Sequence, residues 1–379
     1  MRIGGEWLER QATQQVLACL NTKGWQALLV GGCVRNAVLD VPVSDVDIAT
    51  DALPETVSVL AKNAGFRVIP TGIDHGTVTV VADGIPHEIT TFRRDVQTDG
   101  RRAVVAFSDR LEEDAARRDF TMNALYAQAD GRLIDPLGGL PDLMARRLRF
   151  VGDAETRIRE DYLRILRFFR FHAWYGDQAG GLDADGLAAC AALCAGLETI
   201  SRERVGAEIR KLLAAPDPAP AVAAMAQTGV LAQVLPGADP KALAPLVHLE
   251  GDALPDWLRR LAVLGGTGRE EGLRLSNIEK RALAHLDEAL GSMDGAAVLG
   301  WRLGAELAAD AVLARAAVFG TPPLPGWQRE VARGAAAEFP VKAADLPGLK
   351  GAALGRRLKE LERKWCASDL RLTRDQLLA

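Results

Sequence analysis

Two aspartates spaced one residue apart, Asp45 and Asp47 in SDVDIAT, stand in a run whose intervening residues are apolar. Side chains at i and i+2 of a strand point to one face, so the two carboxylates project together while Val46 and Ile48 turn toward a core. Parallel carboxylates repel, and a divalent cation between them removes the repulsion. Oxygen ligands of this kind suit Mg2+, which keeps waters and phosphate oxygens as its other ligands. An isolated pair of this spacing is usually no more than a solvated strand end, but this pair has neighbours. Immediately upstream, VGGCVRN sets Gly31 and Gly32 between an apolar run and a helix start, where backbone N–H groups can approach a phosphate. Arg35 follows on the first helical turn as a phosphate partner. A phosphate cradle beside a two-carboxylate metal site reads as one unit: a nucleoside triphosphate held for attack.

The elements that must position these residues can be read from periodicity. ALLVGG, DVDIAT, GTVTVVADG and HEITTF are β-branched runs bounded by turn residues and read as strands, while PETVSVLAKNAG reads as a helix closed by Gly65. The first part, residues 1–150, is therefore expected to mix strands and helices. Residues 151–215 carry helical spacing and dense arginine in DAETRIREDYLRILRFFRFHAWYG and ISRERVGAEIRKLLAA. Residues 216–379 are rich in Ala and Leu, broken at PDPAP, LPGADP, GGTG and GTPPLPG, with no strand-like run and no fixed-period repeat. The expected fold class is α+β, a mixed sheet with helices followed by an all-helical remainder that serves as neck, body and tail.

Composition bounds the function. A chain of 379 residues with 48% hydrophobic content suffices for two or three domains. The net charge of -4 is no global sign of nucleic-acid binding, so any such reading must rest on local arrangement. The five cysteines include no CxxC pair, which argues against a disulfide framework or a zinc site and for a reducing, cytoplasmic setting. Cys190 and Cys194, four apart in an alanine-rich stretch, are expected to pack in a core. The first twenty residues carry acidic groups and no long apolar core, and no later stretch reaches about 18 uncharged apolar residues, so secretion and membrane insertion are disfavoured. The five histidines are too scattered for a His/Asp phosphohydrolase module.

With these residues in view, GGCVRNAVLDVPVSDVDIAT resembles the nucleotidyltransferase motif of the DNA polymerase β superfamily, in the form found in class II CCA-adding tRNA nucleotidyltransferases and related poly(A) polymerases. The likeness continues in order through HEITTFRRDVQTDGRRAVVAF, ARRDFTMNALYA, DPLGGLPDL, FVGDAETRIREDYLRILRFFRF and ISRERVGAEIRKLL, spanning roughly residues 25–213. It becomes looser in LRLSNIEKRAL and GLKGAALGRRLKELERKW. Two positions depart from the family pattern. Asn36 stands where Asp is usual and lacks its negative charge; Asp40 stands where Gly is usual, and Asp tolerates the left-handed turn that Gly would make.

The resemblance implies a polymerase-β-like nucleotidyltransferase head over 1–150, a base-recognising neck over 151–215 and a tRNA-binding body and tail over 216–379. It implies that Asp45 and Asp47 hold Mg2+ ions that polarise a 3′-hydroxyl and clamp the triphosphate for in-line loss of pyrophosphate. Glu88, in HEITTF, is expected on a strand beside them as a third carboxylate, the alternative being an ordinary exposed strand residue. Arg117, Arg118, Asp119 and Asn123, from RRDFTMNA, would join Gly32 and Arg35 around the ribose and triphosphate. Without the resemblance, EEDAARRDF reads as a solvated helix with i,i+4 charge pairs. Asp161 and Arg164 would read the Watson–Crick edge of the incoming nucleotide, with Arg167 and Arg170 also assigned to nucleotide binding.

Hydrogen-bond chemistry supports the base-reading pair independently. On a helix, Asp161, Arg164, Arg167 and Arg170 recur every three residues along a drifting stripe. A carboxylate only accepts and a guanidinium only donates. Cytosine and adenine both offer an amine donor beside a ring-nitrogen acceptor and fit the pair; guanine and uracil reverse both contacts. At about 1–3 kcal/mol per base contact, taken by analogy from groove readout, two reversed contacts discriminate by orders of magnitude. RRDVQTDGRRAVVAF, with Gly100 and polar turn residues, is expected to be a mobile loop, and the resemblance implies that it helps reshape the pocket from C to A specificity. Lys350 to Lys364 carry six basic residues against Glu360 and Glu362, a basic helix suited to RNA phosphates or simply a solvated face. The expected activity is addition of C, C and A to a tRNA 3′ end from CTP and ATP without a nucleic-acid template. A poly(A) polymerase, a partial CC- or A-adding enzyme, and an inactive RNA-binding relative are the alternatives.

Overall fold

The computed structural model describes residues 1–99 and 102–379, with side chains at all of them except 74, 95–99 and 102–105. It divides into two compact units, Met1–Ser201 with Thr228–Gln233, and Arg202–Gln227 with Val234–Ala379. The arginine-rich segment expected as a separate neck is shared between them.

The first unit is built on a seven-stranded sheet in the order β3-β4-β5-β2-β1-β8-β9. Its strands are β1 (Ala27–Val30), β2 (Val46–Thr50), β3 (Arg67–Gly72), β4 (Thr77–Ala82), β5 (Ile85–Thr91), β8 (Tyr126–Ala127) and β9 (Leu133–Ile134). The sheet is mixed: β2 and β5 run parallel, whereas β1 pairs antiparallel with both β2 and β8. The alternation expected from SDVDIAT is present, since Val46 and Ile48 are 6% and 0% exposed while Asp45 is exposed and Asp47 half-buried. The same period governs β5, where His87, Ile89 and Thr91 are buried and Glu88 is exposed. The helix Pro54–Asn63 ends as expected: Gly65 takes φ 84, and its N–H and that of Phe66 satisfy the carbonyls of Lys62 and Ala61.

The described residues of RRDVQTDGRRAVVAF are extended rather than a loop. They form β6 (Arg93–Asp99) and β7 (Arg102–Phe107), an antiparallel ribbon separate from the main sheet. β-branched Val96, Val104 and Val105 favour extended backbone, which outweighs the polar turn residues. Gly100, named with that expectation, lies outside the described residues.

Aromatic packing fixes the arginine-bearing helix Leu163–Tyr175 within the same unit. Phe120, directly after the RRD triplet, lies 5.0 Å from Phe150 and 5.3 Å from Phe171 between ring centroids, and Phe150 stacks on Phe168 at 5.4 Å. Phe120 and Phe168 are fully buried. Cys190 is also buried, as expected, and burial pushes its thiol pKa up.

The second unit is helical among its described residues. At its centre Arg260, 1% exposed, donates to Glu250 Oε2 at 2.6 Å and to the carbonyls of Leu213 and Pro216 at 2.6 and 3.1 Å. The helix Gly351–Ala367 buries Leu361 and Trp365 in a cluster with Ala297, Val298 and Val341, and Trp301 meets Trp365 edge-on at 5.3 Å. No helix among the described residues is long and apolar enough to cross a membrane.

Candidate active site

The sheet sets three carboxylates side by side. Asp45 immediately precedes β2, Asp47 lies within it, and the parallel register pairs Asp47 with Glu88 on β5. Asp45 Oδ2 accepts from the Ser44 hydroxyl at 2.9 Å. The Asp47 carboxyl is pushed up to about 6, first by burial and then by Glu88 and Asp45, with the Arg118 guanidinium opposing. A half-buried carboxylate flanked by two more is an oxygen donor set that fits a divalent cation. Among the described residues no three acidic, histidine or cysteine side chains converge as a ready-made metal cage. Phosphate and water oxygens would therefore have to complete the coordination, as they commonly do for Mg2+.

The glycine turn lies between β1 and the short helix Gly32–Val38. Gly31 adopts φ 70, ψ -119, a backbone state essentially closed to residues with a Cβ. A Cβ there would sit 3.5 Å from Arg118 Nη1, so the turn and that guanidinium are close neighbours. At the far end of the helix Asp40 takes φ 55, the left-handed turn expected of it.

Arg35, expected as a phosphate partner, is only 6% exposed. Its Nη1 donates to Asn123 Oδ1 at 2.7 Å, its Nε and Nη2 to Asn36 Oδ1 at 3.2 and 2.9 Å, and its Nη2 to the Tyr175 hydroxyl at 2.9 Å. The guanidinium also lies 3.9 Å from the centroid of the Tyr175 ring. Asn36 thus accepts from the arginine without carrying a charge, while its Nδ2 donates to the Pro42 carbonyl at 2.9 Å. A carboxylate could not make that second bond.

EEDAARRDF is not the solvated helix that its charge spacing alone suggests: Asp114 and Asp119 are buried in a hydrogen-bonded network with the arginines. Asp114 is 1% exposed; its Oδ1 accepts from Arg117 Nε at 2.9 Å and its Oδ2 from Arg118 Nη2 at 2.8 Å. The i,i+3 and i,i+4 spacing was legible, but burial was not, because the helix Leu111–Ala116 packs its Ala115 among Leu28, Phe92 and Tyr126. Asp119 is 8% exposed and accepts from Asn123 Nδ2 at 3.0 Å and from the Arg167 fork. A hydrogen-bonded chain therefore runs from Arg167 through Asp119 and Asn123 to Arg35 beneath the glycine turn.

The base-reading stripe also differs from expectation. Asp161 is not on a helix: it lies in extended conformation, φ -155, ψ 103, at the break between the helices Ala154–Glu160 and Leu163–Tyr175. Its Oδ1 accepts from the Leu163 N–H at 3.1 Å, the local bond by which Asp competes with helix continuation. Arg164, Arg167 and Arg170 do lie on the second helix. Arg164 donates to Glu160, to the Arg157 carbonyl at 2.8 Å and to the Arg117 carbonyl at 3.2 Å, which orients its fork and ties the helix to the RRD segment. Arg170 lies over the Phe171 ring at 4.2 Å. Sequence reasoning missed Asp114, Tyr126 and Tyr175 as members of the site; only the spacing of Asp114 from the two arginines carried a signal.

In the second unit, Arg356, Lys359, Arg363 and Lys364 of the basic helix are exposed, and Arg357 pairs with Glu360 at 2.9 Å.

A mixed sheet with paired carboxylates at the head of β2, a glycine turn behind them and an arginine helix locked alongside defines a nucleotidyltransferase head. Residues 27–149 match the poly A polymerase head domain, and residues 182–241 match a probable RNA and SrmB- binding site of polymerase A. The chain is 32% identical to a solved Bacillus stearothermophilus CCA-adding enzyme in complex with CTP, with a TM-score of 0.74 over 95% of this chain and 93% of that one. The chain belongs to the family of class II CCA-adding tRNA nucleotidyltransferases and poly(A) polymerases. Among curated relatives it is 41% identical over 249 residues to the CCA-adding enzyme of Geobacillus thermodenitrificans, covering 65% of this chain and 56% of the relative. It is 44% identical over 186 residues to the human mitochondrial CCA tRNA nucleotidyltransferase 1, covering 49% and 43%. The matched region is thus about half the length of these curated relatives.

Proposed function

We propose that the protein is a CCA-adding tRNA nucleotidyltransferase, which extends a tRNA 3′ end with C, C and A from CTP and ATP without a nucleic-acid template. The observation that carries the reading is the hydrogen-bonded chain joining the glycine turn to the arginine helix within one compact unit. Such a chain holds triphosphate chemistry and base reading in one rigid frame. The likeness to enzymes solved or named for this activity supports it.

Enzymes of this family generally use a divalent metal. Here Asp45 and Asp47, with Glu88 beside them, would hold Mg2+, which when bound lowers the charge of the triphosphate and activates the attacking 3′-hydroxyl. The remaining work falls to the chain. Gly31 and Gly32 let backbone N–H groups approach the phosphates, and Arg118 supplies positive charge at that turn. Arg35, with Asp119 and Asn123, braces the turn from beneath, and Arg117 joins the nucleotide-binding set beside Arg118. Asp161 and Arg164 stand in for a template base, accepting from the exocyclic amine and donating to the ring nitrogen of cytosine or adenine; Arg167 and Arg170 frame the same pocket. In this reading residues 1–150 form the catalytic head, 151–215 the base-recognising neck and 216–379 the tRNA-binding body, whose exposed basic helix suits RNA phosphates.

The test is to give the purified protein, with Mg2+, a tRNA transcript lacking its terminal CCA together with CTP and ATP. Three added nucleotides support the proposal. A long tail from ATP alone would establish a poly(A) polymerase, and one or two added nucleotides a partial enzyme. No incorporation and no pyrophosphate release would leave the inactive RNA-binding relative.

A further inference from the structure

Asp114 has no role in the reading above, yet it is the most thoroughly buried carboxylate near the site, 1% exposed. Its Oδ2 accepts from both Arg118 Nη2 at 2.8 Å and the Tyr126 hydroxyl at 2.7 Å. The same hydroxyl accepts from Arg118 Nε at 3.0 Å, and the Tyr126 ring lies 5.2 Å from the guanidinium. Two of the three nitrogens of the Arg118 fork are therefore held from behind by a closed triangle of bonds. The third, Nη1, is the atom 3.5 Å from where a Cβ on Gly31 would stand. Burial works to raise the Asp114 carboxyl, but Arg118 and Arg117 outweigh it and keep it ionised. Tyr126 belongs to β8, paired to β1 just ahead of the turn, so the triangle and the turn share one rigid support.

We infer that Asp114, with Tyr126, is a positioning residue that aims Arg118 Nη1 into the glycine turn, making this guanidinium the fixed cation for the triphosphate. The inference rests on the nucleotidyltransferase reading and adds the device that orients its anion subsite. A guanidinium fork bonded along two edges loses little freedom when its third edge meets a phosphate, so affinity depends on the brace as well as on the charge.

The probe is inorganic tripolyphosphate, which has the phosphate chain and no base, with its binding measured by calorimetry on the full chain. Asp114→Asn is expected to weaken tripolyphosphate binding at least ten-fold and to raise KM for CTP and ATP together. The preference for CTP over UTP is expected to stay within two-fold of the parent, since base reading lies on another element. Tyr126→Phe keeps the ring and the carboxylate, removes one edge of the brace, and is expected to weaken tripolyphosphate three- to five-fold; it decides the matter if Asp114→Asn does not fold. Asp114→Glu, which keeps the charge but lengthens the arm, is expected to fall between the parent and Asp114→Asn. A folded variant that binds tripolyphosphate like the parent overturns the inference, as does one that loses base preference in proportion to affinity. If the parent adds no nucleotide to tRNA yet binds tripolyphosphate in an Asp114-dependent way, the proposed activity fails and the positioning role stands.

Discussion

Burial of Asp47, with Glu88 and Asp45 beside it, sets function against stability at the head of β2, and Asp47→Asn measures the conflict. A carboxyl moved from its ordinary value of 3.8 to about 6 costs the folded state about 3 kcal/mol when ionised. Water at the half-buried side chain trims this to about 2 kcal/mol. The folded protein binds this proton more tightly than the unfolded chain does. The penalty is therefore complete above about pH 7 and disappears as pH falls through 6 toward 4. In a chelator at about pH 8, Asp47→Asn is expected to raise Tm by roughly 4–8 °C for a unit of this size, while abolishing nucleotide incorporation. At about pH 5, between the two titration points, the gap between variant and parent is expected to close by roughly a third to a half, and below about pH 4 nearly completely. Adding Mg2+ at pH 8 is expected to raise the Tm of the parent and leave the variant unmoved, because a ligand stabilises only the form that binds it. Thermal melts at the two pH values, with and without Mg2+, give all three quantities. A variant no more stable than the parent at pH 8, or a gap that ignores pH, would refute the argument that burial and the neighbouring acids penalise an ionised Asp47.

Other perturbations test neighbouring parts. Asp40→Gly relieves a left-handed backbone at φ 55 and is expected to stabilise by about 0.5–1 kcal/mol in chemical unfolding; a loss would mean that the Asp40 side chain matters more than its backbone. Gly31→Ala forces a Cβ into φ 70, ψ -119 at about 1–3 kcal/mol, and should lower Tm by a few degrees and remove incorporation. Activity retained in that variant would separate the turn from the chemistry. Arg164→Ala is expected to cut CTP-over-UTP preference at least ten-fold, the equivalent of one lost base contact of about 1–3 kcal/mol. Competition assays on a tRNA primer read this directly, and an unchanged ratio would move base reading elsewhere.

What could be read along the chain was whatever depends on neighbours a few residues away. The period of two that turns Val46 and Ile48 inward and leaves Asp45 and Asp47 outward is such a property, as are the glycine closure after Asn63 and the left-handed Asp40. The family signature added the order of motifs, and with it the expectation that Glu88 lies beside Asp47, which the parallel β2–β5 register meets. Spacing misled where one polar side chain could redirect the backbone: Asp161 bonds the Leu163 N–H and breaks the stripe that a continuous helix would have carried. It misled again at RRDVQTDGRRAVVAF, where extended pairing prevailed over turn composition.

The sequence by itself determined which groups are present, how they alternate along each strand and what chemistry their types allow. The tertiary structure alone decided which charges face solvent and which are spent inside. EEDAARRDF has the same i,i+4 spacing whether its Asp114 is solvated or sealed; only the arrival of Tyr126 from a strand twelve residues further on makes it the brace of Arg118. Arg35 likewise becomes a buried strut because Asn123 and Tyr175, 88 and 140 residues away, close over it. The strength of a charge depends on the water and partners around it, and that surrounding is assembled from distant segments only when the chain folds.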